Sequence, residues 1–243
     1  MKLLAFDTST DTMSIAVQHG DAVFTHTGAG GAQASAALIP AIQALMARAG
    51  LQFSQLDAIA FGRGPGSFTG LRTACSVAQG LAFAAGVKVL PVDTLHAVAQ
   101  EAHSLLSAKA NASNPMRICA ALDARMGEMY YAYYLFDSCS LDTLEGYSLK
   151  TPLNMELVEG FADTLLAGNV RPVYDAQLPA AVLAAPSIAC LPTATAMLRL
   201  APQLMAGGGL VDAQDALPLY VRDKVALTTA EREDVAAAKA SAA

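Results

Sequence analysis

Apolar residues come in short blocks along the first half of this chain. Residues 2–6, 13–17 and 22–27 read as strands, separated by polar connections at 7–12 and 18–21. Connections that short join antiparallel neighbours. The spacing then changes. Residues 32–49 read as a helix, 56–61 as a strand, 69–85 as a helix, 87–92 as a strand and 94–106 as a helix. Strands that alternate with helical stretches predict a parallel sheet with crossover helices. Gly50 and Gly86 stand where the first two helices must stop. Three strands followed by αβαβα is the order of a ribonuclease H-like sheet.

Residues 107–115 are polar and turn-rich, and read as a linker. The order then begins again. Residues 117–122, 128–136 and 143–149 read as strands, 154–167 as a helix, 170–174 as a weaker strand and 193–205 as a helix. Each half ends its first strand on an aspartate, Asp7 and Asp123. A repeated order with matching aspartates implies duplication. Two such α/β lobes back to back make the actin-like ATPase architecture. The expected division is 1–106 for the first lobe, 107–216 for the second and 217–243 for a closing segment, whose end from 230 onward should fray.

The most distinctive stretch is Gly62-Arg63-Gly64-Pro65-Gly66-Ser67-Phe68-Thr69-Gly70-Leu71-Arg72, between a strand and an Ala-rich helix. Its glycines leave little side chain in the way, and Pro65 fixes one backbone angle. Ser67 or Thr69 can cap the helix. Backbone N–H groups with Arg63 and Arg72 suit an anion or the close approach of another protein; a tight strand-to-helix turn fits too. The run is not a P-loop, since no Lys-Ser/Thr follows a glycine. It is not a dinucleotide fingerprint, since Ser67 stands where glycine is needed. It is not a nucleophile elbow, since Pro65 and Thr69 flank the serine.

This run resembles the signature of the bacterial TsaB family, also called YeaZ. So do residues 4–10, 123–130 and 218–222, and the likeness spans about residues 1–225. The resemblance implies a reduced member of the actin-like superfamily, its second lobe cut down. It also implies a non-catalytic subunit of the complex that forms N6-threonylcarbamoyladenosine at position 37 of tRNAs reading ANN codons. TsaC would supply the threonylcarbamoyl-adenylate, TsaD would be the catalytic partner in a heterodimer, and TsaE the associated ATPase. Alone, the chain should form a homodimer. The alternative is an independent actin-like ATPase or small-molecule kinase.

Composition narrows the setting. Hydrophobic residues make up 54% of the 243, aromatics only 6%, and the excess is alanine, which favours close helix packing. No apolar run approaches the ~18 residues of a membrane span. Asp7 breaks the first apolar stretch too early for a signal peptide. Cys75, Cys119, Cys139 and Cys190 are scattered, as in a reduced cytoplasmic protein. A net charge of −6 argues against a large nucleic-acid footprint, so tRNA should be met through the complex.

Actin-like ATPases grip phosphates between two hairpins. Asp7-Thr8-Ser9-Thr10 could be a vestige of the first, or an ordinary turn. In the second, Arg125 and Met126 stand where phosphate needs bare backbone. No cofactor is expected on this chain, with a nucleotide shared with the partner the one open case. The metal pair that the resemblance would import falls on Thr94 and Val98, which are poor ligands; His96 and His103 make a weak pair, and His19 and His26 lie apart on the early hairpin. Asp123, Glu128 and Arg125 read as a structural ion-pair group. Ala74, Cys75 and Ala78 on one helix, with Leu38 and Ile42 on the other, are expected to form a helix-on-helix partner interface, joined by Gly62, Arg63, Gly64, Ser67, Phe68, Thr69 and Arg72. The resemblance points to the same two helices for pairing.

Overall fold

The computed structural model describes residues 1–108, 115–137, 140–155 and 164–222. Two five-stranded sheets carry the chain. The first is built from β1 (Lys2–Asp7), β2 (Thr12–His19), β3 (Ala22–Ala29), β4 (Ala58–Gly64) and β5 (Val89–Asp93). Its spatial order is β3-β2-β1-β4-β5, with β1–β2–β3 antiparallel and β4 and β5 parallel to β1. The second uses β6 (Met116–Arg125), β7 (Glu128–Asp137), β8 (Ser140–Lys150), β9 (Leu165–Gly168) and β10 (Ser187–Ala189). Read from its third strand, the order is β8-β7-β6-β9-β10. The pairing senses repeat as well. These are the two ribonuclease H-like lobes of an actin-like architecture.

Alternation along the central strands explains the layers. Leu4 and Phe6 of β1 face one side, packing with α1 (Ala34–Ala49) and α2 (Phe68–Ala85). Leu3 and Ala5 face the other, towards α3 (Thr94–Ser107) and α6 (Ala194–Ala206). In β6, Ile118, Ala120 and Leu122 share that inner core, while Cys119 and Ala121 face α4 (Val170–Tyr174) and α5 (Ala180–Ala184). Helices α3 and α6 therefore lie between the sheets, and one continuous core joins the lobes. Helix α1 buries Ala34, Leu38, Ile42, Leu45 and Met46. That is one stripe at three- and four-residue spacing, and each Leu or Ile in it contributes about 1.5–3 kcal/mol.

The second sheet keeps all five strands, and among the described residues the reduction shows in its outer helices. Helices α4 and α5 have 5 residues each, against 16 and 18 in α1 and α2. The helix expected over 154–167 is not what the described part of that range forms. Pro152–Asn154 is a 3-10 turn and Leu165–Gly168 is strand β9, buried throughout; residues 156–163 lie outside the described residues. The strand expected at 170–174 is helix α4. Val170 and Tyr174 sit one turn apart and are both buried, so the helical face outweighs the β preference of the valines. The tail from 223, and Cys139, also lie outside the described residues. No described helix is long and apolar enough to cross a membrane.

Candidate functional site

The first hairpin and the glycine run form one unit. Asp7 ends β1, and its Oδ1 accepts from the Ser9 N–H (2.8 Å) and the Ser9 hydroxyl (2.7 Å). The glycine run folds tightly over this turn. A Cβ on Gly62 would lie 1.8 Å from Asp7 Oδ2, one on Gly66 2.7 Å from the Ser9 carbonyl oxygen, and one on Gly70 1.9 Å from the Thr8 carbonyl oxygen. Ser67 N–H donates to the Ser9 carbonyl (2.8 Å), and the Thr8 hydroxyl to the Gly70 carbonyl (2.7 Å). Close approach, not backbone freedom, is what these three glycines supply. Gly64 alone in the run has a positive φ, +122°. The Asp7–Ser9 part of the hairpin is packed against the glycine run, and Ser9, Thr10 and Asp11 line the cleft that remains.

Burial pushes the Asp7 carboxyl up to about 6, against the lowering effect of the Ser9 bonds, and its Oδ2 has no partner among the described residues. A folded pKa above the unfolded 3.8 contributes stability that is fully present below 3.8 and lost as pH rises through about 6. Asp7→Asn is therefore expected to stabilise the chain at pH 7, by up to about 3 kcal/mol, and not at pH 3.5. Urea midpoints measured across that range check it; a wild-type curve that rises from pH 4 to 6 would contradict it.

Several expectations for the run need correction. Neither Ser67 nor Thr69 caps α2 through its side chain: Ser67 is the N-cap residue but makes no capping bond, and Thr69 is already inside the helix. Arg63 is not held free for an anion or a partner. It lies at the end of β4, half-buried, with Nε 2.5 Å from Asp93 Oδ1. The Tyr147 hydroxyl, on β8 of the other sheet, donates to the second Asp93 oxygen. Burial, with Asp93 against it, holds that phenol protonated far above its usual range. Arg63 thus belongs to a node tying the lobes together. Arg63→Ala is expected to cost about 1–2 kcal/mol of stability. A double-mutant cycle with Tyr147→Phe should give a total short of the sum of the two single losses.

The second hairpin repeats the first aspartate's geometry and then departs from it. Asp123 Oδ1 accepts from the Arg125 N–H (2.8 Å), as Asp7 does from Ser9. Arg125 and Met126 then adopt φ of 63° and 58°. Left-handed backbone costs about 1–2 kcal/mol at a residue with a side chain. The Arg125 guanidinium lies 2.5 Å from Asp11 on the first hairpin and 3.5 Å from Asp123. Glu128 is not its partner; it pairs with Arg222 at 2.5 Å. The expected single group is split: Arg125 lies with Asp123 and Asp11, and Glu128 with Arg222.

The chain after α6 returns to the first lobe and crosses the cleft. Val211 bridges Val89 of β5. Cys75 Sγ and the Gln79 amide donate to the Ala216 carbonyl. Leu219 N–H donates to the Arg63 carbonyl (2.7 Å), and Arg222 donates to the Ala124 and Arg125 carbonyls of the second hairpin. A cleft of about 240 Å³ remains between the hairpins, walled in part by Ser9, Ser67, Leu122, Asn169 and Tyr220. The composition of 216–222 gave no sign of this role; its clue was the length of chain after the last helix.

The helix residues expected at an interface lie elsewhere. Leu38, Ile42, Ala74 and Ala78 are fully buried and Cys75 nearly so, all in the core against the first sheet. The small size of Ala74, Cys75 and Ala78 serves helix–sheet packing. The outward face of these helices holds other residues, Ile39 (41% exposed), Phe83 (86%) and Gly80. A Cβ on Gly80 would meet nothing within 4 Å. A mid-helix glycine costs about 1 kcal/mol relative to alanine, and nothing in the chain's own packing calls for one here. Thr94 and Val98 are buried in α3, and His96 stacks on Tyr134 and donates Nε2 to the Leu141 carbonyl (3.0 Å). Among the described residues, no three His, Cys, Asp or Glu side chains are grouped to hold a metal.

Comparison with known proteins agrees with this geometry. Residues 29–242 match the family model described as TsaD, tRNA N6-adenosine threonylcarbamoyltransferase. The tRNA threonylcarbamoyladenosine biosynthesis protein TsaB of Escherichia coli K12 is 32% identical, over 93% of this chain and 96% of its own length. The protein of that name from Haemophilus influenzae is 33% identical over 93% and 95%. The solved structure of YeaZ from Pseudomonas aeruginosa superposes with a TM-score of 0.80 at 35% identity, covering 90% of this chain and 99% of that one. Likeness of sequence and of fold along nearly the whole length places this chain in the TsaB (YeaZ) family.

Proposed function

We propose that this chain works in tRNA threonylcarbamoyladenosine biosynthesis, the process its relatives are named for, as a non-catalytic, partner-binding subunit. The observation that carries the reading is the obstructed phosphate grip, in which Arg125 reaches from the second hairpin to Asp11 on the first. The glycine run packs against the Asp7–Ser9 part of the first hairpin and the Arg125 turn occupies the space before the second. The other reading, an independent actin-like ATPase or small-molecule kinase, needs both hairpins open. In this proposal a TsaD-type transferase docks on the outward face of α1 and α2, where Gly80 lets a second helix backbone come close and Ile39 and Phe83 offer apolar area. A second copy of this chain takes that face in the partner's absence. TsaE binds the pair, TsaC supplies the activated intermediate, and tRNA is met in the assembly. The test is reconstitution: modified nucleoside per tRNA with and without this chain. The chain alone should show no nucleotide hydrolysis, and its omission should remove most product. Full product without it would sink the reading.

A further inference from the structure

We propose that the mouth of the interlobe cleft is a stacking site for one unpaired nucleobase, with Phe68 and Tyr220 as its platform. Phe68 is the first residue of α2 and Tyr220 lies on the returning segment. Their rings are 5.4 Å apart at 34°, and they are 42% and 45% exposed. The Arg72 guanidinium lies 3.9 Å from the centre of the Phe68 ring, and its Nε donates to the Tyr220 hydroxyl (3.1 Å). Three planar groups are thus fixed against one another before any ligand arrives, which lowers the ordering cost of binding. Neither ring is buried in the core. Aromatic faces beside an arginine are the usual platform for unstacked bases.

The cleft behind the platform matches the edge of a heterocycle better than a polyphosphate. Its two arginines meet three carboxylates, Arg125 with Asp11 and Asp123 and Arg222 with Glu128, so no net positive charge is left for a polyphosphate. Its other polar groups are neutral hydroxyls and an amide. Asn169 Oδ1 is taken by the Asp123 N–H, which leaves the amide NH₂ to donate from the wall. Leu71, Leu122 and Tyr130 supply apolar floor. On the opposite rim Met126 is 76% exposed, held out by its left-handed turn. Its thioether, which accepts from Arg222 Nη1 (3.5 Å), offers a polarisable contact to a planar ligand. RNA is the favoured source of the base, and that part rests on the functional reading above; a free nucleoside has the same stacking chemistry.

The experiment titrates the full chain, alone and with its transferase partner, into an RNA stem–loop carrying 2-aminopurine in the loop. Free 2-aminopurine riboside and a fully paired duplex run in parallel. Stacking quenches the probe. The expected result is a quench with the stem–loop and none with the duplex. Phe68→Ala should weaken it about 10–100-fold, Tyr220→Ala should weaken it too, and Phe68→Tyr should restore it, all with unchanged melting temperature. A riboside that binds as tightly as the stem–loop would overturn RNA as the source. No quench in any arm, or an unchanged quench in Phe68→Ala, would overturn the platform itself. Product formation in the omission assay is a separate measurement, so failure of the platform leaves the functional reading standing.

Discussion

Gly70→Ala is expected to unfold most of the chain or to lower its stability by about 3–5 kcal/mol. The added methyl would sit 1.9 Å from the Thr8 carbonyl oxygen. That oxygen is backbone, so no side chain can rotate away. The hairpin would have to leave α2, which breaks the Thr8–Gly70 and Ser67–Ser9 bonds and uncovers buried Asp7. A loss of that size is a large part of the 5–15 kcal/mol that holds a domain folded. Gly66→Val should fail for the same reason, overlap with Ser9, and not through backbone angle. Gly80→Ala is the control. It meets nothing within 4 Å and lies in the same helix, so it should stabilise the isolated chain by about 1 kcal/mol. Thermal or urea unfolding of the variants decides. A Gly70→Ala protein melting like wild type would mean that the hairpin is not docked on the run.

The contrast between these glycines marks how far the sequence could be read. The lobes were legible because period-2 and helical patterns are carried by local chemistry, and Asp7 and Asp123 each end a first strand in the same way. The glycine run was legible as unusual. Its purpose was not, because Gly62, Gly66 and Gly70 face a hairpin more than fifty residues earlier and Gly64 faces Leu219, far later in the chain. Arg63 looked free for the same reason: Asp93 and Tyr147 reach it only through the tertiary fold. Helix α4 was missed because five residues with two valines carry too little periodicity to separate helix from strand. The alanines of α2 were read for their size without regard to direction. Ala74 and Ala78 lie four apart with Cys75 between, and that spacing is equally the signature of a face packed on a sheet.

That last error leads to the other large effect. Ala78→Arg is expected to destroy folding, not association. Ala78 is fully buried among Leu38, Ile42 and Phe61 in the outer core of the first lobe. A guanidinium there would have no partner, and an unpaired buried charge costs several kcal/mol. The loss should appear as insoluble protein or a collapsed melting transition. Gly80→Arg and Phe83→Asp test the surface instead. Both positions are exposed, so each variant should melt within a few degrees of wild type. Each should still lose self-association in light scattering, and binding to the transferase should weaken by tenfold or more, since a charge now faces the incoming helix. Modified nucleoside should fall in step with binding. If Phe83→Asp folds, pairs and supports product as wild type does, the partner docks on another face. If Ala78→Arg folds and only loses pairing, α2 is turned the other way on the sheet and the packing described for this lobe is wrong.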